Sequence, residues 1–188
     1  QEVFRNLADR SLAEIAIIRK DFRKLSGDSL NSWLKSKLGG ASYKQAKLLL
    51  LGESINPVDR DAQLLNLAME GAGTNESMVL DVLHGSSDEH RKEVAEHYEA
   101  LSGKDLETTI KAEHTGTEEV FALAAFRRGE ITAADRVYAA TRGLWNDYEA
   151  AYRALEGKTP TELVQVREQF QAAYGKDLEA HLESRMSG

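Results

Sequence analysis

The chain of 188 residues has no cysteine and only 2 prolines. Without cysteine there are no disulfides, thiolate metal sites or cysteine nucleophiles, so stability has to come from packing. So few prolines, in a chain rich in Ala, Leu, Glu and Lys, exclude the turn-rich sandwiches and barrels and point to an all-α protein. Positive charge is also short, with 24 Lys and Arg against 31 Asp and Glu and a formal net charge of -7. Binding along a nucleic-acid backbone needs a basic face and is excluded. An anionic lipid surface would repel the chain unless a local basic patch or a bridging cation reversed the field. No apolar run approaches the ~20 residues needed to span a bilayer, and no signal-peptide layout opens the chain. A helical pattern is already running at Gln1, so the expectation is a piece of something longer, cytoplasmic or peripheral at a membrane.

Against these absences stands 41% hydrophobic content, enough for a sizeable buried core, and a clear internal repeat. Phe22-Arg-Lys-Leu-Ser-Gly27-Asp28, Tyr98-Glu-Ala-Leu-Ser-Gly103-Lys104-Asp105 and Phe170-Gln-Ala-Ala-Tyr-Gly175-Lys176-Asp177 are one phrase written three times. Gly52-Glu53 recurs as Gly129-Glu130. A period of roughly 70 to 77 residues is too long for a two-helix solenoid unit and suits a bundle of about five short helices.

Start and stop signals divide the unit. Thr159-Pro160-Thr161-Glu162 joins a threonine N-cap, a proline at the first helical position and a glutamate that closes a capping box. Ser11-Leu12-Ala13-Glu14 is the same box. Beyond it Ile15, Ile18, Phe22 and Leu25 mark one helix face that stops at Gly27. Matching helices are predicted over 88–101 and 160–174. The middle unit should hold helices over 58–70, 75–83, 88–101, 105–114 and 117–127. Trp33, with Leu30 and Leu34, belongs on an apolar face.

One loop departs from the economy with glycine seen elsewhere, namely Ala-Met-Glu-Gly-Ala-Gly-Thr-Asn-Glu-Ser over 68–77. Two readings are open for it. It is either a capped turn, with Gly71 ending one helix and Thr74 or Asn75 starting the next, or a loop whose glycines let several carbonyls face outward toward a hard cation such as calcium.

The run Asp61-Ala62-Gln63-Leu64-Leu65-Asn66-Leu67-Ala68-Met69-Glu70-Gly71-Ala72-Gly73-Thr74-Asn75-Glu76 resembles the first helix and calcium loop of an annexin repeat. Lys104-Asp105-Leu106 and Glu113-His114-Thr115-Gly116 resemble its fourth helix and terminal acid, in the right order and at the right distance. The resemblance implies an all-α array of annexin-like repeats, each of about five short helices, stacked in a superhelix. It divides the chain into an incomplete repeat lacking its first helix (1–53), a complete repeat with the calcium loop (54–130) and a repeat lacking its fifth helix (131–188). It also implies a Ca2+ site made by the main-chain oxygens of Met69, Gly71 and Gly73 and the side chain of Glu113. A lipid phosphate completing that shell would give calcium-dependent binding to an acidic phospholipid membrane.

The third unit departs from the pattern, with Gly143-Leu144-Trp145-Asn146-Asp147 in place of the glycine loop and Arg185 at the acid position. Lys37 holds the acid position in the first unit, and Glu70 replaces the lysine usual in the family. One live site forfeits the avidity of several. The alternative is a structural or protein-interaction module in which the loop is vestigial. His90, Glu93 and His97 share a helix face at metal-ligand spacing, but without an HExxH signature or a distant third ligand they read as part of a charged, solvated face, and no enzyme is expected. Trp145 is read as a core anchor.

Overall fold

A helix begins where a side chain takes over the backbone donors that its first turn leaves free. The computed structural model describes residues 6–7, 10–50, 56–70, 73–143 and 146–186, in which twelve helices and no strand are found. In chain order these are α1 (Leu12–Ser26), α2 (Leu30–Lys37), α3 (Gly40–Leu49), α4 (Pro57–Ala68), α5 (Glu76–Leu83) and α6 (Asp88–Ser102). They continue as α7 (Leu106–Glu113), α8 (Gly116–Arg128), α9 (Ala133–Thr141), α10 (Tyr148–Leu155), α11 (Pro160–Tyr174) and α12 (Leu178–Met186). The all-α expectation is met.

Both predicted capping boxes are present. The Ser11 hydroxyl accepts from the Glu14 N–H at 3.3 Å while the Glu14 carboxylate accepts from the Ser11 N–H at 3.0 Å. Thr159 and Glu162 exchange the same two bonds at 3.3 and 2.7 Å. A third box, Thr132 with Asp135, opens α9 and escaped the sequence reading. The thrice-written phrase has a structural meaning. It is the end of α1, α6 and α11, three helices of 15 residues, each stopped by a left-handed glycine, Gly27, Gly103 or Gly175.

Gly129, from the other repeated phrase, is required twice over. Its φ is 74°, and a Cβ there would stand 2.5 Å from the Arg91 guanidinium and 2.8 Å from the Ser86 carbonyl. Arg91 is itself buried and donates to the Phe126 carbonyl at 2.8 Å.

Among the described residues the apolar side chains gather in two clusters. The larger includes Ile15, Leu34, Leu65, Leu83, Tyr98 and Ile110. The smaller is built on Val137, Val166, Phe170 and Leu178. Tyr98 and Phe170, the aromatics of the second and third phrases, are fully buried, one in each cluster, while Phe22 of the first is only partly buried. Within the larger cluster α4 packs broadly on α6 and α5, and α5 on α8, while α8 meets α9 and brings the two clusters side by side.

Burial also takes in polar groups that satisfy one another. The Asp135 carboxylate is inaccessible and receives Arg128 at 2.5 Å, Tyr174 at 2.5 Å and the Thr132 N–H at 2.7 Å. Burial disfavours its charge, but these hydrogen bonds outweigh that cost and hold its pKa below the usual carboxylate range.

Several expectations are corrected. Leu25, placed on the apolar face of α1, is exposed, because the packed face of that helix is carried by Ile15 with Ile18 and Phe22. Trp33 is only partly buried, packed edge-on against Phe22 with ring centres 5.4 Å apart. The helix predicted over 58–70 stops at Ala68, with Met69 as its C-cap. Gly52, Glu53, Gly71 and Trp145 lie outside the described residues.

Candidate calcium loop at the ends of α4 and α7

The loop after α4 is closed at its neck by the backbone. The Asn75 N–H donates to the Ala68 carbonyl at 2.8 Å. Asn75 then caps α5, its side-chain oxygen accepting from the Met78 N–H at 3.2 Å and from the Ser77 hydroxyl at 3.0 Å. The capped-turn reading of Asn75 is therefore correct. It does not account for Gly73, whose φ of 87° lies in the left-handed region although nothing lies within 4 Å of where a Cβ would be. The glycine there serves the direction of the backbone, not a close approach.

Thr74 carries the loop across to α7. Its hydroxyl donates to the main-chain oxygen of Glu113 at 3.2 Å, joining residues 39 apart in sequence. Gly73 and Glu113, paired through the family resemblance, thus lie on neighbouring segments. Met69 is buried as the C-cap of α4, its N–H bonded to Leu65.

Glu113 is exposed at the C-terminal end of α7, where the helix dipole opposes negative charge. The cations nearby in sequence are engaged elsewhere, Lys111 and Arg127 both meeting Glu107 at 2.8 and 2.5 Å. Among the described residues Glu113 has no ion-pair partner, and no three of His, Asp and Glu are grouped to hold a metal. A cation at this loop would thus have one carboxylate and otherwise main-chain oxygens, a hard donor set that fits calcium far better than zinc. Glu70, beside the loop, is 3.7 Å from Lys44.

The corresponding place in the third unit keeps the turn and loses the acid. The Asp147 N–H donates to the Ala140 carbonyl at 2.8 Å, as Asn75 does to Ala68. The Tyr148 hydroxyl donates to the main-chain oxygen of Arg185, so loop and helix end are still tied, with a guanidinium where Glu113 offers a carboxylate. Lys37 ends α2 as an exposed residue.

The histidines on α6 are drawn into helix packing. His90 meets Asp61 at 2.8 Å and His97 meets Asp59 at 2.7 Å, both partners coming from α4. The aspartates were not anticipated. Only an alignment of the α4 and α6 faces could have paired them, since they lie 29 and 38 residues away.

Comparison with known proteins bears on the same segments. A family model described as Annexin matches residues 60–124 and 132–188. Human annexin A13 is 34% identical over 131 residues, 70% of this chain and 42% of that protein. Human annexin A8 is 32% identical over 157 residues, 84% of this chain and 45% of that protein. Rat annexin A5 is 30% identical over 128 residues, covering 68% and 40%. The chain thus spans less than half the length of these relatives. Among solved structures, a mutant of annexin A8 superposes with a TM-score of 0.43 at 24% identity, covering 99% of this chain and 61% of that one. A calcium-bound annexin (Sm)1 gives 0.40 at 24% identity, with 98% and 59% covered.

Proposed function

Because the chain belongs to the annexin family, we propose that it binds acidic phospholipid membranes through one calcium ion held by the loop after α4 and the end of α7. The observation that carries this reading is the Thr74–Glu113 hydrogen bond, which sets the unpaired carboxylate of α7 beside the glycine loop. The ligands would be the main-chain oxygens of Met69, Gly71 and Gly73 and the Glu113 side chain. Calcium takes about six to eight oxygens. These four residues leave part of the shell open, and a lipid phosphate oxygen would be a fitting occupant. The ion supplies the positive charge that a chain of net charge -7 lacks toward an anionic surface. Lys44 beside Glu70 offsets part of the extra negative charge at the loop.

Residues 54–130 act as the complete repeat, with 1–53 and 131–188 as partial ones, and only the complete repeat retains the carboxylate. A single site binds weakly, because no second site shares the membrane. The activity is binding, without catalysis. No helix among the described residues is long and apolar enough to cross a membrane, which agrees with peripheral attachment.

Co-sedimentation with phosphatidylserine vesicles tests the proposal. Binding should require calcium, reverse with chelator and be abolished by Glu113→Gln. Vesicle binding that is absent, or that ignores calcium, would refute it and favour a structural module with a vestigial loop.

A further inference from the structure

Two crevices occur at corresponding places in the fold. One, of about 380 Å³, is lined by Lys44, Lys47 and Leu48 of α3, by Gln63, Asn66, Leu67 and Glu70 at α4, and by Leu101 of α6. The other, of about 190 Å³, lies between α8, α9 and the end of α11. Two repeat steps relate them. Ser11 and Ser87 begin α1 and α6, and Gly40 and Gly116 open α3 and α8, which aligns Lys44, Lys47 and Leu48 with Val120, Leu123 and Ala124. Asn75 and Asp147 cap α5 and α10, which aligns Asn66, Glu70 and Leu101 with Tyr138, Arg142 and Ala173.

The smaller crevice is narrowed by its own side chains. Tyr138 stacks on Tyr174 with ring centres 3.8 Å apart. Its cations are paired, Arg128 with Asp135 at 2.5 Å, Arg142 with Glu119 at 2.9 Å and Arg127 with Glu107 at 2.5 Å. In the larger crevice Asn66 stands where Tyr138 would fill the space. Lys47 has no carboxylate partner among the described residues, and the half-buried amides of Gln63 and Asn66 have no hydrogen-bond partner there. Leu48, Leu67 and Leu101 supply an apolar wall. Against two lysines there is one carboxylate, Glu70, 3.7 Å from Lys44.

Unpaired positive charge and free amide donors beside a leucine wall are complementary to one chemistry, an anionic head on a short aliphatic chain. We propose that the α3–α4–α6 crevice is a calcium-independent binding site for a small anionic amphiphile, with a carboxylate or phosphate head at Lys44, Lys47 and the Gln63 and Asn66 amides and the chain along the leucines. At the ~30 Å³ that a water-sized group occupies in a liquid, the crevice holds about twelve non-hydrogen atoms. That matches one medium-length chain. A ligand of this size at ordinary efficiency should bind with a dissociation constant between about 10 μM and 1 mM.

The test is calorimetric titration of the whole chain with decanoate and, separately, with octyl phosphate, below their micelle concentrations and in excess chelator. Saturable one-to-one binding of either anion, with decanol about tenfold weaker or more, supports the site, and the better anion identifies the head. Lys47→Glu, at an exposed position, should weaken binding about tenfold or more. Asn66→Tyr, which supplies the ring that Tyr138 places in the other crevice, should abolish it. No saturable binding, or binding indifferent to both substitutions, overturns the proposal. Glu113→Gln should bind decanoate normally, so this site and the calcium loop can fail independently.

Discussion

The Thr74 hydroxyl and the Glu113 carbonyl are bonded at 3.2 Å across the gap between the glycine loop and α7. The bond uses main chain on the Glu113 side, which leaves the carboxylate available. Thr74→Val keeps the shape and removes the donor, a loss of about 1 kcal/mol or roughly fivefold in affinity. The calcium needed for half-maximal vesicle binding should rise by about that factor while the melting temperature barely moves. An unchanged calcium requirement would show that the bond does not position the loop.

Gly73 and Gly129 should respond differently to alanine, although both have positive φ. At Gly73 nothing lies within 4 Å of an added Cβ, so the cost is the backbone conformation alone, about 1–2 kcal/mol. At Gly129 the methyl would also collide with the Ser86 carbonyl and the Arg91 guanidinium, raising the loss to about 2–5 kcal/mol. Urea denaturation should rank Gly129→Ala well below Gly73→Ala in stability, and only Gly73→Ala should alter calcium binding beyond its effect on folding.

The α6 histidines should prove structural. Asp61 is almost fully buried and bonded by both His90 and Arg60, at 2.8 and 3.0 Å. Removing the imidazole by His90→Ala should cost about 1–2 kcal/mol. Metal analysis of the purified protein should find no stoichiometric zinc, and added zinc should leave the melting temperature unchanged. Zinc bound in proportion to protein would show instead that His90, Glu93 and His97 form a metal site.

Acid should weaken the C-terminal cluster in two stages. The buried His181 has its pKa lowered by burial and then by Lys176 and Arg185. It binds its proton more readily when unfolded, so stability is full above its ordinary value of 6.5 and falls as pH drops from there toward the lowered folded value. Asp135, also with a lowered pKa, contributes stability that is present above its ordinary 3.8 and lost as pH falls below it. Stability measured against pH should therefore decline first near neutrality and again in strong acid. His181→Gln should flatten the first decline and leave the second.

Removing Asp135 altogether should be costlier than either titration. Asp135→Ala strands Arg128 and the Tyr174 hydroxyl at a site with no solvent access on the aspartate side. A loss of about 3–5 kcal/mol is expected from denaturant curves.

Much of this protein was legible locally. Caps such as Ser11 with Glu14 and stops such as Gly103 act over a few residues, so composition and spacing disclose them, and repetition places them in register. The pairing of Gly73 with Glu113 was legible only through family resemblance, since nothing within either segment refers to the other. Leu25 shows the limit of periodicity, which identifies a helix face but not how far the neighbouring helices cover it.

By itself the sequence determined an all-α chain of repeated helices, acidic and free of cysteine, because helix propensity, capping and charge are properties of short stretches. Only the tertiary structure decided that α6 would give its histidines to Asp59 and Asp61, that Thr74 would tie the loop to the main chain of Glu113, and that one crevice would be narrowed by stacked tyrosines while its counterpart stayed wider. Those outcomes depend on which side chains meet across helices far apart in the chain, and packing settles that for all of them together.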